Sequence, residues 1–410
     1  MLFAAGLLSL LIWTWLVFAR GAFWRIHDAT PLLLFKARSA HEKIFDEDPA
    51  SPLRIAVIVP ARDEADVVDR AVRSLLRQTP RQISPQTPRQ NRISSIHIYL
   101  VDDGSADSTA QVARAAAIAE GQNENLTVIA GSPLPSGWSG KLWALQQGIE
   151  LASRANPDFF LLTDADVEHA PDSVSTLAAI AQAGPYDLAS FMVKLHCETA
   201  AEKLLIPAFV YFFFKLYPPA WIANPRRGTA GAAGGCMLVR PAALEKAGGI
   251  TAIRQEVIDD CALAARIKGT GGRLWLGASA TTRSIRPYGG FSGIGRMISR
   301  SAFNQLRHSS LLLAVSMAGM AVTYLLPPAL VFFGRRTAPV ILGASAWMLM
   351  TFSYIPVVRL YRLNALWVLA LPLAAVFYVG ATLHSAGQYW SGQGGLWKGR
   401  IQDPVESRHS

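Results

Sequence analysis

Charge is scarce in this chain, and acidic charge is scarcest: only 17% of the 410 residues are charged, and 29 Asp and Glu face 39 Lys and Arg. Cysteine is nearly absent. Cys197, Cys236 and Cys261 lie far apart and fit neither a zinc framework nor a disulfide set, which leaves buried free thiols. Missing too is any basic run interleaved with aromatics, so the net charge of +10 does not point to nucleic acid. A protein lying against an anionic cytoplasmic leaflet accounts for that charge more simply. In place of charge the chain has 51% hydrophobic residues and a positive mean hydropathy, too apolar for an ordinary soluble domain.

The apolar excess is unevenly placed. Leu2 to Ala19 carries no charge and is closed by Arg20 and Arg25. Further uncharged stretches run over 311–333, 338–358 and 365–386, each about the ~20 residues a helix needs to cross a hydrocarbon core. The expected plan is a transmembrane helix over 1–20, a globular domain over 52–308, and three more transmembrane helices within 311–386. The first segment lacks a basic leader, and Ala19-Arg20-Gly21 is a poor cleavage site, which favours an uncleaved anchor over a signal peptide. Arg20, Arg25, Lys36 and Arg38 then place the globular domain in the cytoplasm of a bacterial-type inner membrane by the positive-inside rule. Arg335/Arg336 and Arg359/Arg362 fall in successive loops on opposite sides, and their votes cancel. Within the middle domain, 204–221 is aromatic-rich but holds three prolines. It reads as an interfacial segment in the headgroup region, or else as a core helix.

Elsewhere in the middle domain short β-branched runs alternate with helical patterns. Strands are expected over 55–59, 96–101, 126–130 and 159–163. Helices are expected from about Glu64 to Gln78, after the DDGSADST turn, and from near Ser139. This alternation argues for a parallel α/β sheet that binds a nucleotide. The segment 79–94, rich in Pro, Gln and Arg, reads as a surface loop without chemistry.

Chemistry concentrates where those strands end. The run FFLLTDADV over 159–167 breaks from buried strand into Asp164 and Asp166. Ligands of open α/β sheets sit beyond the carboxyl ends of the strands, where an Asp-x-Asp can hold a divalent cation against a diphosphate. The second strand ends in Asp102 and Asp103 before Gly104-Ser105. Carboxylates there can accept from a nucleobase imide or ribose hydroxyls, although an Asx turn would explain either one singly. Asp259 and Asp260 open a helical pattern, where charge complementary to the helix dipole is the plain alternative to catalysis.

Four motifs in order, IVPARDE (58–64), VDDGSADST (101–109), TDADV (163–167) and IDDCALAARIK (258–268), resemble the family 2 glycosyltransferases of the GT-A fold. The likeness covers about residues 52–310 and takes in AAGGCMLVRPAALEKAGGI at 232–250. More finely, GWSGKLWAL at 137–145, FVYFFF, AGGCML, IDDCALA and RMISRSAFNQLRHS at 296–309 are similar to the membrane-bound hopene-associated subgroup. Ceramide and carotenoid glycosyltransferases look like more distant relatives.

The resemblance implies a GT-A nucleotide-diphospho-sugar transferase domain, a Rossmann-like mostly parallel α/β sheet flanked by transmembrane helices. It implies that Asp103, with Asp102 beside it, recognises a uracil-type base, and that Glu64 lines that pocket. Asp164 would meet the ribose or the metal's water shell, and Asp166 would ligate Mg2+ or Mn2+. Lys141 would put positive charge near the donor, and Asp260 would be the general base. Processive members carry Gln-x-x-Arg-Trp before their membrane helices, whereas here the nearest match is Gly293-Ile294-Gly295-Arg296-Met297. One sugar per acceptor is therefore expected. Arg296 and Arg300 serve either as a diphosphate clamp or as basic residues at the membrane boundary.

One nucleophile and one base give a single displacement, hence inversion. The expected activity is transfer from a nucleotide-diphospho-sugar donor, UDP-sugar favoured, to a membrane lipid hydroxyl, with a hopanoid or similar lipid suggested by resemblance. A polyprenyl-phosphate glycosyltransferase and a non-catalytic membrane scaffold or lipid-export component are the alternatives.

Overall fold

The computed structural model describes residues 1–28, 53–78, 93–392, 396–397 and 400–401. Lys36, Arg38 and most of the 79–94 loop lie outside them. Two compact units divide the chain: a sheet unit (Asp28–Leu195 and Ile222–Arg286) and a helical unit (Met1–His27, His196–Trp221 and the chain from Pro287).

The sheet unit is built on β1 (Leu53–Ala61), β2 (Ile93–Asp102), β3 (Leu126–Ala130), β4 (Phe159–Thr163), β5 (Val167–Glu168), β6 (Leu188–Lys194), β7 (Cys236–Val239) and β8 (Leu274–Ser284). They form one eight-stranded sheet in the order β3-β2-β1-β4-β7-β6-β8-β5. β1 pairs in parallel with both β2 and β4, with Ile55 to Ile58 opposite Phe159 to Leu162. All five residues of β4 are buried, the pattern of a strand covered on both faces. The sheet is not wholly parallel. β7 lies antiparallel between β4 and β6, and the two-residue β5 pairs antiparallel with the end of β8.

Helix α1 of this unit (Val68–Leu76) turns Val68, Val72 and Leu75 inward. It starts four residues later than its pattern suggests; before it, the backbone N–H groups of Asp63, Glu64 and Ala65 donate to Ser105, Thr109 and Asp107, tying this stretch to the turn after β2. α2 (Thr109–Ala119), α3 (Gly140–Ser153) and α4 (Ser173–Ala183) follow their strands; α3 begins near Ser139 as anticipated, and the Ser139 side chain caps it. Gly148 lets α3 sit close on the sheet: a Cβ there would stand 2.6 Å from Ile58 Cγ2. α5 (Asp259–Gly269) precedes β8.

In the helical unit, Leu2–Phe18 buries Gly6, Ser9, Trp13, Leu16 and Val17 and leaves Phe3, Leu7, Leu11 and Phe18 exposed, so it is apolar on every side. Its inner face meets a π-helical turn at Ala321–Leu325. Such a turn disturbs the carbonyl ladder, and the Ser9 hydroxyl and Trp13 indole donate to the Val322 and Thr323 carbonyls (2.8 and 2.7 Å). Among the described residues four helical stretches are long and apolar enough to cross a membrane: Ala200–Ile222, Ser310–Phe333, Thr337–Leu360 and Ala365–Trp390. The first overlaps 204–221, the proline-bearing segment expected to lie in the headgroup region or to form a core helix. Its helix runs through Pro207 to Leu216, and Pro218 and Pro219 only punctuate its end. A capping box between Thr199 and Glu202 starts it.

Candidate active site

The ends of β1 and β2 are stitched into one loop platform. The Asp103 N–H donates to the Ala61 carbonyl (2.9 Å), and the Ala106 N–H donates to Asp63 Oδ1 (2.8 Å). Asp63 adopts a left-handed backbone (φ 52°) to make this exchange. Asp102 is used locally: its Oδ1 accepts the Ser105 N–H at 2.9 Å, an Asx turn. Asp103 is the buried member of the pair, 4% exposed. Arg62 donates to its carbonyl at 2.6 Å and reaches its Oδ2 at 3.5 Å. Glu64 pairs with Arg286, just past β8.

Asp164 and Asp166 occupy the turn between β4 and β5. Pairing of β5 with β8 places Ser284, whose hydroxyl donates to Asp166 Oδ2 at 3.0 Å, while Arg286 Nε lies 3.9 Å from the same oxygen. Burial, and then the neighbouring Asp164 charge, push the Asp166 carboxyl up to about 6. On the other side of Asp164 stands Lys141, in the first turn of α3. Its Nζ lies 2.9 Å from Asp164 Oδ1 and 3.4 Å from Asp259 Oδ2. Burial alone would lower the Lys141 ammonium, but attraction to Asp164 and Asp259 more than offsets it and holds the group charged.

That ammonium links the Asp-x-Asp turn to the start of α5, where Asp260 follows Asp259. Both Asp260 oxygens are held by backbone: Oδ2 accepts from Gly234 N–H (2.8 Å) and Oδ1 from Cys261 N–H (2.7 Å). Burial, reinforced by Asp259, raises the Asp260 carboxyl to about 6. The approach is eased by a glycine partner, since a Cβ at Gly234 would stand 3.2 Å from Oδ2 and press on it. Thus Glu64, Asp102, Asp103, Lys141, Asp164, Asp166 and Asp260 all lie in the sheet unit, at strand ends or helix starts. Arg296 and Arg300 belong to the helical unit, on and just past the helix Gly290–Ser299. Arg286 was not legible beforehand; a lone Arg after a strand has no motif, and only the β5–β8 pairing reveals its position.

Among the described residues no group of three or more His, Cys, Asp and Glu could cage a metal by itself. The pair Asp164–Asp166 nonetheless fits a hard cation. Two carboxylates held close enough to raise one of them gain from a positive charge between them, and Mg2+ characteristically takes one or two carboxylates and completes its shell with water and phosphate.

A curled, mostly parallel α/β sheet with acidic groups at its carboxyl edge defines the GT-A class of nucleotide-diphospho-sugar transferases. Residues 56–248 match the sequence profile of glycosyl transferase family 2, and the chain carries a glycosyltransferase domain of that family. The fold is similar to that of the mannosyltransferase PcManGT from Pyrobaculum calidifontis, solved in complex with GDP-Man and Mn2+. The likeness has a TM-score of 0.52 at 16% identity, over 94% of this chain and 99% of that one. A slighter likeness, with a TM-score of 0.37 at 16% identity, links 86% of this chain to 97% of S. aureus TarS 1-349 in complex with UDP. No curated protein gives a significant sequence match.

Proposed function

We propose that this chain is an inverting, non-processive glycosyltransferase that moves one sugar from a nucleotide-diphospho-sugar, with UDP-sugars favoured, to the hydroxyl of a membrane lipid on the cytoplasmic leaflet. The observation that carries the reading is the Lys141 bridge, which ties a diphosphate-facing Asp-x-Asp turn to the helix start bearing Asp260. Asp103 and Arg62 provide the buried polar contacts for a base, and Glu64 lines the same pocket. The apolar helices of the chain support a lipid acceptor, and the hopene-associated motifs suggest a polycyclic one.

In the reaction, Asp260 takes the proton of the acceptor hydroxyl as its oxygen attacks the anomeric carbon and the bond to the diphosphate oxygen breaks. The two N–H donors fix the carboxylate, and its elevated affinity for a proton suits a base working near neutrality. Lys141 and Arg286 offset charge on the departing nucleoside diphosphate. Asp166, with Asp164, would hold Mg2+ or Mn2+, which supplies further neutralisation when bound; PcManGT carries Mn2+ in its complex.

The test is transfer of radiolabel from UDP- and GDP-sugars into organic-soluble product by the purified full chain with lipid and divalent cation. Asp166→Asn and Asp260→Asn are each expected to lower turnover by about 10²–10⁴-fold. Transfer that survives both substitutions overturns the assignment.

A further inference from the structure

The helical unit is short of negative charge to an unusual degree. Its described residues include Glu198 and Glu202 and no other carboxylate side chain, and 287–392 contains no Asp or Glu at all. Glu202 is committed: buried, it accepts from the N–H groups of Glu198, Thr199 and Tyr288 and contacts His196 Nδ1 at 3.1 Å. Two cations of the same unit, Arg20 and Lys215, meet with no acidic partner among the described residues.

Their geometry is built. Arg20 follows the Leu2–Phe18 helix, and its Nε–H donates to the Lys215 carbonyl at 3.1 Å. The guanidinium is stacked on indole faces, 4.7 Å from the Trp221 centroid and 5.5 Å from that of Trp15. Gly21 permits this closeness: its φ is +64°, and a Cβ there would stand 2.7 Å from Trp221 Nε1. With Nε satisfied and the plane fixed by rings, the terminal guanidinium nitrogens present a rigid fork. The Lys215 ammonium donates to the Tyr324 hydroxyl (2.7 Å) and lies over the Tyr324 and Phe212 rings (4.8 and 5.2 Å). Aromatic faces and one hydroxyl only partly compensate a cation drawn into apolar helices.

We propose that Arg20 and Lys215 together bind the anionic phosphate headgroup of a membrane lipid. A planar, pre-oriented guanidinium matches phosphate oxygens bidentately, the ammonium of the residue whose carbonyl it holds adds point charge, and the Trp rings suit the water–lipid boundary where such headgroups lie. The chemistry fits a phosphodiester of the bulk bilayer or the monoester of an isoprenoid carrier. Neither residue is among those assigned to transfer, and the inference does not depend on what is transferred.

Native mass spectrometry of the full chain in detergent, titrated with phosphatidylcholine, phosphatidylglycerol and a polyprenyl phosphate, reads the site directly. An anionic lipid is expected to bind about tenfold tighter than phosphatidylcholine, and Arg20→Gln and Lys215→Met each to remove about that factor, the worth of one charge-assisted contact. Preference for the glycerol diester identifies a bulk lipid, and preference for the polyprenyl monoester identifies a carrier. Arg20→Lys keeps the charge but not the fork and decides the matter if Arg20→Gln does not fold; it should lose severalfold. Equal binding of phosphatidylcholine by the wild type, or unchanged anionic-lipid binding in the variants that fold, overturns the proposal.

Discussion

Asp260 is held in place by donors that would ordinarily lower its proton affinity, yet burial and Asp259 raise it to about 6. A base must be ionised to act. Activity that depends on it is therefore full above that pH and falls as pH drops through about 6, about tenfold per further unit. The pH profile of kcat/KM for transfer should show this acid limb, and a profile flat to pH 4.5 would remove Asp260 from the base role. Gly234 gives a finer test of the same atom. Gly234→Ala brings a methyl to 3.2 Å from Oδ2, so the carboxylate must yield by tenths of an ångström. We expect kcat to drop by about tenfold with donor KM little changed, because misplacing a reacting group weakens the transition state more than ground-state binding.

At the same scale the sequence was most informative where chemistry has a motif. Asp164, Asp166 and Asp260 could be named because their spacing at strand and helix ends is meaningful. Arg62 and Arg286 could not, since an arginine beside a carboxylate is visible only once non-local strands pair. Asp102 shows the converse: its neighbour Asp103 is the buried one, while Asp102 serves its own turn.

Among the elements, the junction of β4, β5 and β8 carries the Asp164–Asp166 turn of the candidate site, and a buried histidine braces it. His169 follows β5; its Nε2 lies 3.0 Å from Thr163 Oγ1 at the end of β4, and its Nδ1 lies 3.3 Å from Ser173 Oγ at the start of α4. Burial lowers its pKa from 6.5 to about 4. The folded protein thus refuses a proton that the unfolded chain accepts, so stability is full above about 6.5 and is lost as pH falls from there towards 4, by up to about 3 kcal/mol. Comparing wild type and His169→Gln by urea unfolding of the detergent-solubilised chain at pH 7 and pH 5 should show a larger acid loss in the wild type; equal losses would mean that another group carries the effect.

The limits of β3 and β4 were legible because each is a short apolar run bounded by polar residues. The antiparallel placement of β7 was not, since a strand's direction within a sheet depends on partners far along the chain. Nor was the helix through Pro207 settled by sequence, since a proline disfavours a helix interior; a start fixed by the Thr199–Glu202 box and packing on neighbouring helices tolerate the one missing N–H.

For the molecule as a whole, the order of the chain matters as much as its composition. The helix Ala200–Leu216 is inserted between β6 and β7, so the sheet is completed only after the chain has made an apolar excursion and returned. That helix is held by the C-terminal helices of its own unit. The Tyr378 hydroxyl donates to the Leu205 carbonyl (3.1 Å), the Tyr211 hydroxyl meets Ser353 Oγ at 2.6 Å, and Lys215 reaches Tyr324. Ending the chain at Ser309 removes Ser353, Tyr378 and Tyr324 together. It leaves Ala200–Ile222 as an apolar surface with stranded polar groups, each costing about 1–3 kcal/mol. Such a truncation should not yield a soluble transferase. The shortened chain is expected to stay with the membrane fraction, to resist extraction by alkaline carbonate and to require detergent, as is expected of the full chain. A monodisperse, detergent-free protein that binds donor nucleotide would show that 200–222 is a core helix serving the sheet and that the helices beyond Ser309 are needed only as an anchor.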